Sequence, residues 1–382
     1  MANYDYEIVN GRKIRVRPKE TVSEIDKNGY FRRQPNHFTT PFGDGENDLK
    51  AEGNKRYRLV WAKLCHWSNR AAIVRELEGL EDQISVNMVE HAPHEKNLGW
   101  EYVYNENNID PVLGDHFLSE AYYRADDDYQ GRTTVPALID TTTGKVVNND
   151  YNWLTTYFEV NFRPWHKKGA PELYPVELRE EIDKMNLWLF DNINNAVYRS
   201  SFSRSNEGHF DGVNTFYAAM DRLEKRLETN RFLFGDYVTD SDIRLYVTLA
   251  RLDIRYTAQL GETKRPLYTY KNLWGYAKEL WEIPAFAHHT DFAAIIRQGR
   301  IEGEEDGFRA STHYDLALPK IDWDAQWKVS TERAYLSSDP THPIYLGNNR
   351  RFDIDPTWYD LGAESPKKEE KETPPSCGCC CG

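Results

Sequence analysis

The spacing of apolar residues changes twice along the chain. Residues 1–55 hold no sustained period; Gly and Pro punctuate them, as in Thr40-Pro41-Phe42-Gly43-Asp44-Gly45, and they read as a polar N-terminal extension. From 56 to 165 strand and helix signals alternate. Tyr57-Arg58-Leu59-Val60-Trp61 reads as a strand, and Asn69 to Leu80 as a helix with Ala72, Val74, Leu77 and Leu80 apolar. Gln83 to Val89 alternates as a strand, and Val135 to Ile139 is another short one. A helix between strands that can pair in parallel predicts a βαβ unit.

Over residues 170–300 the period becomes helical. Leu178, Ile182, Met185, Leu189, Ile193 and Val197 recur at three- and four-residue steps, as do Phe216, Met220, Leu223 and Leu227. Thr239-Asp240-Ser241-Asp242 ahead of Ile243 predicts a helix start, with a hydroxyl for the orphan amides and an acid three residues on. An α/β domain is thus followed by an all-α domain. Residues 301–362 are aromatic but aperiodic. The stretch 363–382 lacks core-forming residues before its cysteines and reads as a disordered tail.

Charge and cysteine usage narrow the function. Sixty-one acidic residues against 48 basic ones give a net charge of −13, which repels nucleic-acid phosphates and anionic membrane surfaces. No apolar run reaches the roughly 18–20 residues that span a bilayer, and the polar N-terminus carries no apolar signal core. Four of the five cysteines, Cys377, Cys379, Cys380 and Cys381, sit in the tail. Cys65 is the one thiol in the body, so no disulfide can form inside it, and a reducing compartment, the cytoplasm, is expected. No metal site is predicted, because His91, His94, His288 and His289 lack zinc-ligand spacing and Asp126-Asp127-Asp128 lacks the glycine and glutamate of a calcium loop. The clustered tail thiols could hold a soft metal ion or exchange with Cys65.

Cys65 directly follows a predicted strand and precedes a predicted helix. That location sets its sulfur at the positive end of a helix, where unpaired amides favour a thiolate, the nucleophilic form. A buried inert cysteine is the competing account. Ser68 stands three residues on, so an internal dithiol cycle is excluded and the thiol needs an external partner. Some 70 residues later, Thr133-Thr134-Val135-Pro136-Ala137-Leu138 places a proline just inside a strand. A cis proline there would present the Val135 amide and carbonyl to the backbone of a thiol peptide; a trans proline on an edge strand is the plainer account.

With these pieces laid out, the chain resembles the xi-class glutathione transferases, the glutathionyl-hydroquinone reductases. The resemblance runs in order from about Gly29 to Phe292. It includes Arg56-Tyr57-Arg58-Leu59, Cys65-His66-Trp67-Ser68-Asn69-Arg70, Gly99-Trp100, Gly131-Arg132-Thr133-Thr134-Val135-Pro136 and Val147-Asn148-Asn149, then Asn194-Asn195-Ala196-Val197-Tyr198, Phe232-Leu233-Phe234-Gly235 and Asp242-Ile243-Arg244-Leu245. It implies a thioredoxin-like N-terminal domain packed on an all-helical C-terminal domain, a homodimer, and glutathione as co-substrate. Cys65 would attack the sulfur of a glutathionyl-hydroquinone. Tyr198 and Tyr256 would approach the aromatic substrate, and Trp100, Arg132, Val135 and Pro136 would hold the thiol peptide.

Three departures from the family pattern stand out. The family's proline after the cysteine is His66. The Glu-Ser pair that holds the γ-glutamyl group reads Asp150-Tyr151, one methylene shorter and one ring larger. After the last helix, Arg297 to Gly303 lacks the expected substrate tyrosine. Two rivals to a glutathione-dependent oxidoreductase therefore stay open: a non-catalytic binding or scaffold protein on the same fold, and the same chemistry with another small thiol.

Overall fold

The computed structural model describes residues 4–16, 23–91, 98–257, 260–261, 265–301, 322–341 and 343–344. Strands β1 (Tyr6–Val9) and β2 (Arg12–Arg15) form an antiparallel hairpin. Arg12 pairs with Glu120 at 3.2 Å and Arg15 with Asp127 at 3.3 Å, which fastens the hairpin to the first domain.

In that domain β3 (Tyr57–Trp61) leads through α1 (His66–Leu77) to a parallel partner, β4 (Ile84–Met88). A separate antiparallel pair, β5 (Glu90–His91) and β6 (Trp100–Glu101), precedes α2 (Leu118–Ala125). Then β7 (Ala137–Asp140) runs antiparallel to β3 and β8 (Lys145–Asn148) antiparallel to β7, so the sheet order is β4-β3-β7-β8, and α3 (Leu154–Val160) follows. This is the thioredoxin-like arrangement. Every residue of β3 is buried. Tyr57 and Leu59 pack with Ala71, Val74 and Leu77 of α1, whereas Val60 packs with Ala121 and Tyr122 of α2. A strand covered on both faces explains an unbroken apolar run.

The helical domain comprises α4 (Arg179–Leu189), α5 (Ala196–Phe202), α6 (Asn206–Arg226), α7 (Asp240–Arg251), α8 (Lys271–Trp281), α9 (Pro284–His288) and α10 (Phe292–Ile301). The short α11 (Trp323–Trp327) lies in the aperiodic extension and buries Trp327 against Tyr246, Trp274 and Phe292. One apolar cluster runs from β3 and α1 through Met185, Phe216, Leu245 and Leu249, so the two domains share a core. Thr239 caps α7 as expected: its amide donates to the Asp242 carboxylate at 2.8 Å, which also accepts from the Leu233 amide at 2.9 Å and the Tyr276 hydroxyl at 2.8 Å.

Two elements differ from the pattern. The apolar period from Leu178 to Val197 predicts one helix, but a π-turn at Phe190–Asn194 divides it; Ile193 and Val197 stay fully buried across the break. Helix α1 starts at His66, three residues before the expected Asn69. Cys65 is its extended N-cap, with φ −81° and ψ 119°, and the Asn69 amide donates to the Cys65 carbonyl at 3.0 Å. The cysteine tail lies outside the described residues. Among the described residues no helix is long and apolar enough to cross a membrane.

Candidate active site

The strand-to-helix turn that carries Cys65 is held from the other domain. Arg251, fully buried at the end of α7, donates through Nε to the Leu64 carbonyl at 2.7 Å and through Nη2 to the Lys63 carbonyl at 2.8 Å. Its Nη1 reaches the Val247 carbonyl at 2.8 Å and Asn69 Oδ1 at 3.2 Å. Asn69 in turn donates to the His289 carbonyl at 2.8 Å, and Lys63 pairs with Asp291 at 2.8 Å. Inside the turn, the Ser68 hydroxyl sits 3.1 Å from both the amide and the carbonyl of Ala62. Cys65 therefore sits at the N-terminus of α1, with the backbone on both sides of it held in place.

The Cys65 thiol lies 3.8 Å from the Val135 carbonyl, and the Val135–Pro136 peptide is cis. Both Cys65 and Val135 line a cavity of about 440 Å³, within the range usual for small-molecule sites. Trp100, Arg132, Tyr151, Tyr198 and Tyr256 line it as well. Seven of the nine residues singled out from the sequence thus share one cavity. Pro136 and Asp150 are not among its lining residues. Asp150 is buried, and one of its oxygens accepts from Asn36 Nδ2 at 2.9 Å and from the Asn152 amide at 3.0 Å.

The departures have specific surroundings. Tyr151 packs its ring on Trp67 at 4.7 Å and stacks on Phe190 at 6.1 Å; burial raises its phenol pKa. His66 adds a titratable group in the sequence, yet burial, reinforced by Arg251, Arg33, Arg70 and Arg255, holds its pKa well below the usual value. It is a neutral imidazole at physiological pH. Its Nδ1 lies 2.9 Å from the Tyr256 hydroxyl and 3.4 Å from Thr248 Oγ1, while Nε2 is buried without a hydrogen-bond partner. Burial likewise drives the Tyr256 pKa well above its ordinary value, so this phenol keeps its proton. His288 and His289 both face Glu76, at 2.7 and 2.9 Å, and His94 lies outside the described residues.

Sequence reasoning missed a whole wall. Glu24, Ile25, Phe31, Arg33, Gln34 and Asn36 of the N-terminal segment line the cavity. Glu24 pairs with Arg132 at 2.8 Å, and Gln34 exchanges hydrogen bonds with the Arg132 backbone, accepting from its amide at 2.9 Å and donating to its carbonyl at 3.3 Å. Arg33 lies over the rings of Tyr198 at 4.4 Å and Trp67 at 4.6 Å, and its Nε donates to Asn195 Oδ1 at 3.0 Å. Every one of these contacts is long-range, and no local period marks them.

Comparisons with known proteins bear on this geometry. Residues 197–279 match the family model of the glutathione S-transferase C-terminal domain. Over 280 residues the chain is 35% identical to a Schizosaccharomyces pombe protein named glutathione S-transferase omega-like 2, covering 70% of this chain and 88% of that one. It is 33% identical over 240 residues to the glutathionyl-hydroquinone reductase YqjG of Escherichia coli, covering 63% and 73%. Among solved structures, the xi glutathione transferase of Phanerochaete chrysosporium aligns with a TM-score of 0.64 at 33% identity, over 69% of this chain and 90% of that chain. The glutathione-bound structure of YqjG aligns with a TM-score of 0.67 at 29% identity, over 80% and 97%. Fold, ordered motifs and similarity over most of the relatives' length agree: this chain belongs to the xi-class glutathione transferases, the family of the glutathionyl-hydroquinone reductases.

Proposed function

We propose that the protein uses glutathione to remove a glutathionyl group from an aromatic thioether, with Cys65 as the nucleophile. The observation that carries this reading is the placement of the Cys65 sulfur at the N-terminus of α1, in one cavity with the Val135 backbone edge and the Tyr256 phenol. The Cys65 thiolate forms an S–S bond to the glutathionyl sulfur as the carbon–sulfur bond breaks. The electron pair of the broken bond stays on the ring, which takes up a proton and leaves as the hydroquinone. A second glutathione thiolate then attacks the mixed disulfide, frees Cys65 and departs as glutathione disulfide. Two thiols thus supply the two electrons that the ring receives.

The other side chains serve charge and position. Tyr256, held as a phenol, can donate to a ring oxygen as negative charge grows there, and Tyr198 stands on the same side of the cavity. Trp100, Arg132 and the Val135 backbone hold the thiol peptide, with Asp150 supporting the turn beneath Tyr151. Intact-mass analysis after mixing with glutathionyl-menadiol, in the absence of free glutathione, tests the mechanism. A glutathione adduct on Cys65 that appears as menadiol is released is expected; menadiol release that persists in Cys65→Ser would sink it.

A different small thiol is the second reading, and Tyr151 favours it, because a ring packed on Trp67 stands where the family carries a serine. A panel of cysteine-containing thiols offered to the mixed disulfide ranks the candidates by their rate of release. A cytoplasmic homodimer belongs to the first, glutathione-dependent reading, and light scattering on the purified chain reads its mass.

A further inference from the structure

The cavity is more cationic than the chain that surrounds it. The protein carries a net charge of −13, yet Arg33, Arg132, Arg204 and Arg255 line the cavity against one carboxylate, Glu24. Glu24 is committed to Arg132, on the side of the thiol peptide. Arg33 lies over Tyr198 and Trp67, with Phe31 and Tyr151 farther off at 5.6 and 5.7 Å, and Arg204 lines the cavity two residues after Phe202. Three of the rings form a connected wall, with Phe31 and Tyr198 packing on Phe202 at 5.5 and 5.6 Å.

Neither Arg33 nor Arg204 has a carboxylate partner among the described residues. Arg33 is anchored by a neutral amide, Asn195, and by four rings, while its Nη2 is buried and donates to nothing among the described residues. Arg204 is exposed at the cavity wall, and only its backbone amide is bonded, to the Gly29 carbonyl. Holding a guanidinium in a partly buried site without a counter-charge costs free energy. A bound anion offsets that cost, and the guanidinium fork matches a carboxylate in particular. Because the whole chain repels anions, this attraction has to come from local side chains.

We propose that the aromatic half of the cavity selects a ring bearing an anionic group, of the hydroxybenzoate class, and that Arg33 and Arg204 are the residues that read the charge. The proposal rests on the thiol-transfer reading above and specifies its substrate class. Arg33 lies deeper, over the ring faces next to Cys65, and sets where the charged edge points. Arg204 stands further out and strengthens capture.

The experiment compares two glutathione conjugates, one of hydroquinone and one of 2,5-dihydroxybenzoate. Both carry the same glutathionyl carboxylates, so any difference between them reports on the ring alone. At low salt the carboxylated conjugate should have a kcat/KM about tenfold or more above the neutral one, expressed in KM. That ratio should shrink as ionic strength rises, because an exposed cation is screened within about 10 Å at 0.1 M salt. Arg204→Gln and Arg33→Gln should each bring the two conjugates closer together. Equal kcat/KM for both conjugates overturns the proposal, as does a preference that survives both substitutions. Arg204 is exposed, so its variant stays informative even if Arg33→Gln fails to fold. Should neither conjugate be turned over, the thiol-transfer reading fails by itself. Calorimetry with free 2,5-dihydroxybenzoate and hydroquinone then decides the anion claim, with tighter binding of the acid expected and equal affinity overturning it.

Discussion

The two walls of the cavity are built on different principles. The thiol wall ties the first domain to the N-terminal segment through closed pairs: Arg132 on Glu24, Gln34 on the Arg132 backbone, Asp150 on Asn36. The aromatic wall comes from the N-terminal segment, from α5 with the turn that follows it, and from the π-turn Leu252–Tyr256 after α7, and presents rings and guanidiniums without carboxylate partners among the described residues, Arg33 and Arg204. A wall of satisfied pairs recognises one constant ligand. A wall with charge left over is suited to selecting among variable ones. The mechanism we propose places catalysis at the seam, where Cys65 from one domain and Tyr256 from the other line the same cavity.

The largest effect should come at that seam. Cys65→Ser is expected to lower kcat/KM for glutathionyl-menadiol by about 10³-fold or more, since a serine hydroxyl does not replace a thiolate in disulfide chemistry. Arg251→Met should come next, lowering stability by about 3 kcal/mol in urea unfolding, because the carbonyls of Lys63, Leu64 and Val247 each lose a donor in a buried place. Tyr256→Phe should cost about 10²-fold in kcat with little change in KM, the signature of an interaction made only as charge develops. An equal loss in KM would assign Tyr256 to ground-state binding and move it from the aromatic wall's chemistry to its shape.

The smallest expected effect concerns pH and separates His66 from the rest. Burial holds the folded-state pKa of His66 well below 6.5, so below that pH the unfolded chain takes up a proton that the folded chain refuses. Stability from this residue is present above pH 6.5 and is lost as pH falls, by about 1.4 kcal/mol per pH unit at full effect. His289, whose pKa burial lowers to about 4, acts in the same direction between roughly pH 6.5 and 4. Thermal melts of His66→Gln should therefore fall less steeply over this window than those of the parent chain. Parallel slopes would mean that the imidazole is protonated within the fold.

The first domain's share of the thiol wall was legible in the sequence because its parts are local. A lone cysteine between a strand and a helix, and a Val-Pro at a strand start, carry their geometry with them, and the capping signal at Thr239 does the same for α7. The start of α1 was not legible, since His66-Trp67-Ser68 has no apolar period and only the Cys65 backbone marks the turn. Arg251 was invisible for a related reason: it ends a helix buried on every residue, and its partners in the Cys65 turn lie 182 to 188 residues upstream. Residues 23–36 gave no sign of their role, because a segment without regular structure reveals its contacts only after folding. His66 was visible as a departure. Its neutral state was not, since that follows from burial among four arginines.

Arg251 also has a consequence for how the protein comes into being. The carbonyls that shape the Cys65 turn are gripped by a residue that the ribosome makes long after the first domain has emerged. A nascent chain ending near residue 165 carries Cys65, the nucleophile we propose, but not the clamp that sets its turn. Competence for chemistry thus arrives late, with the docking of α7. A chain halted midway carries the Cys65 thiol without the hydrogen bonds that set its turn.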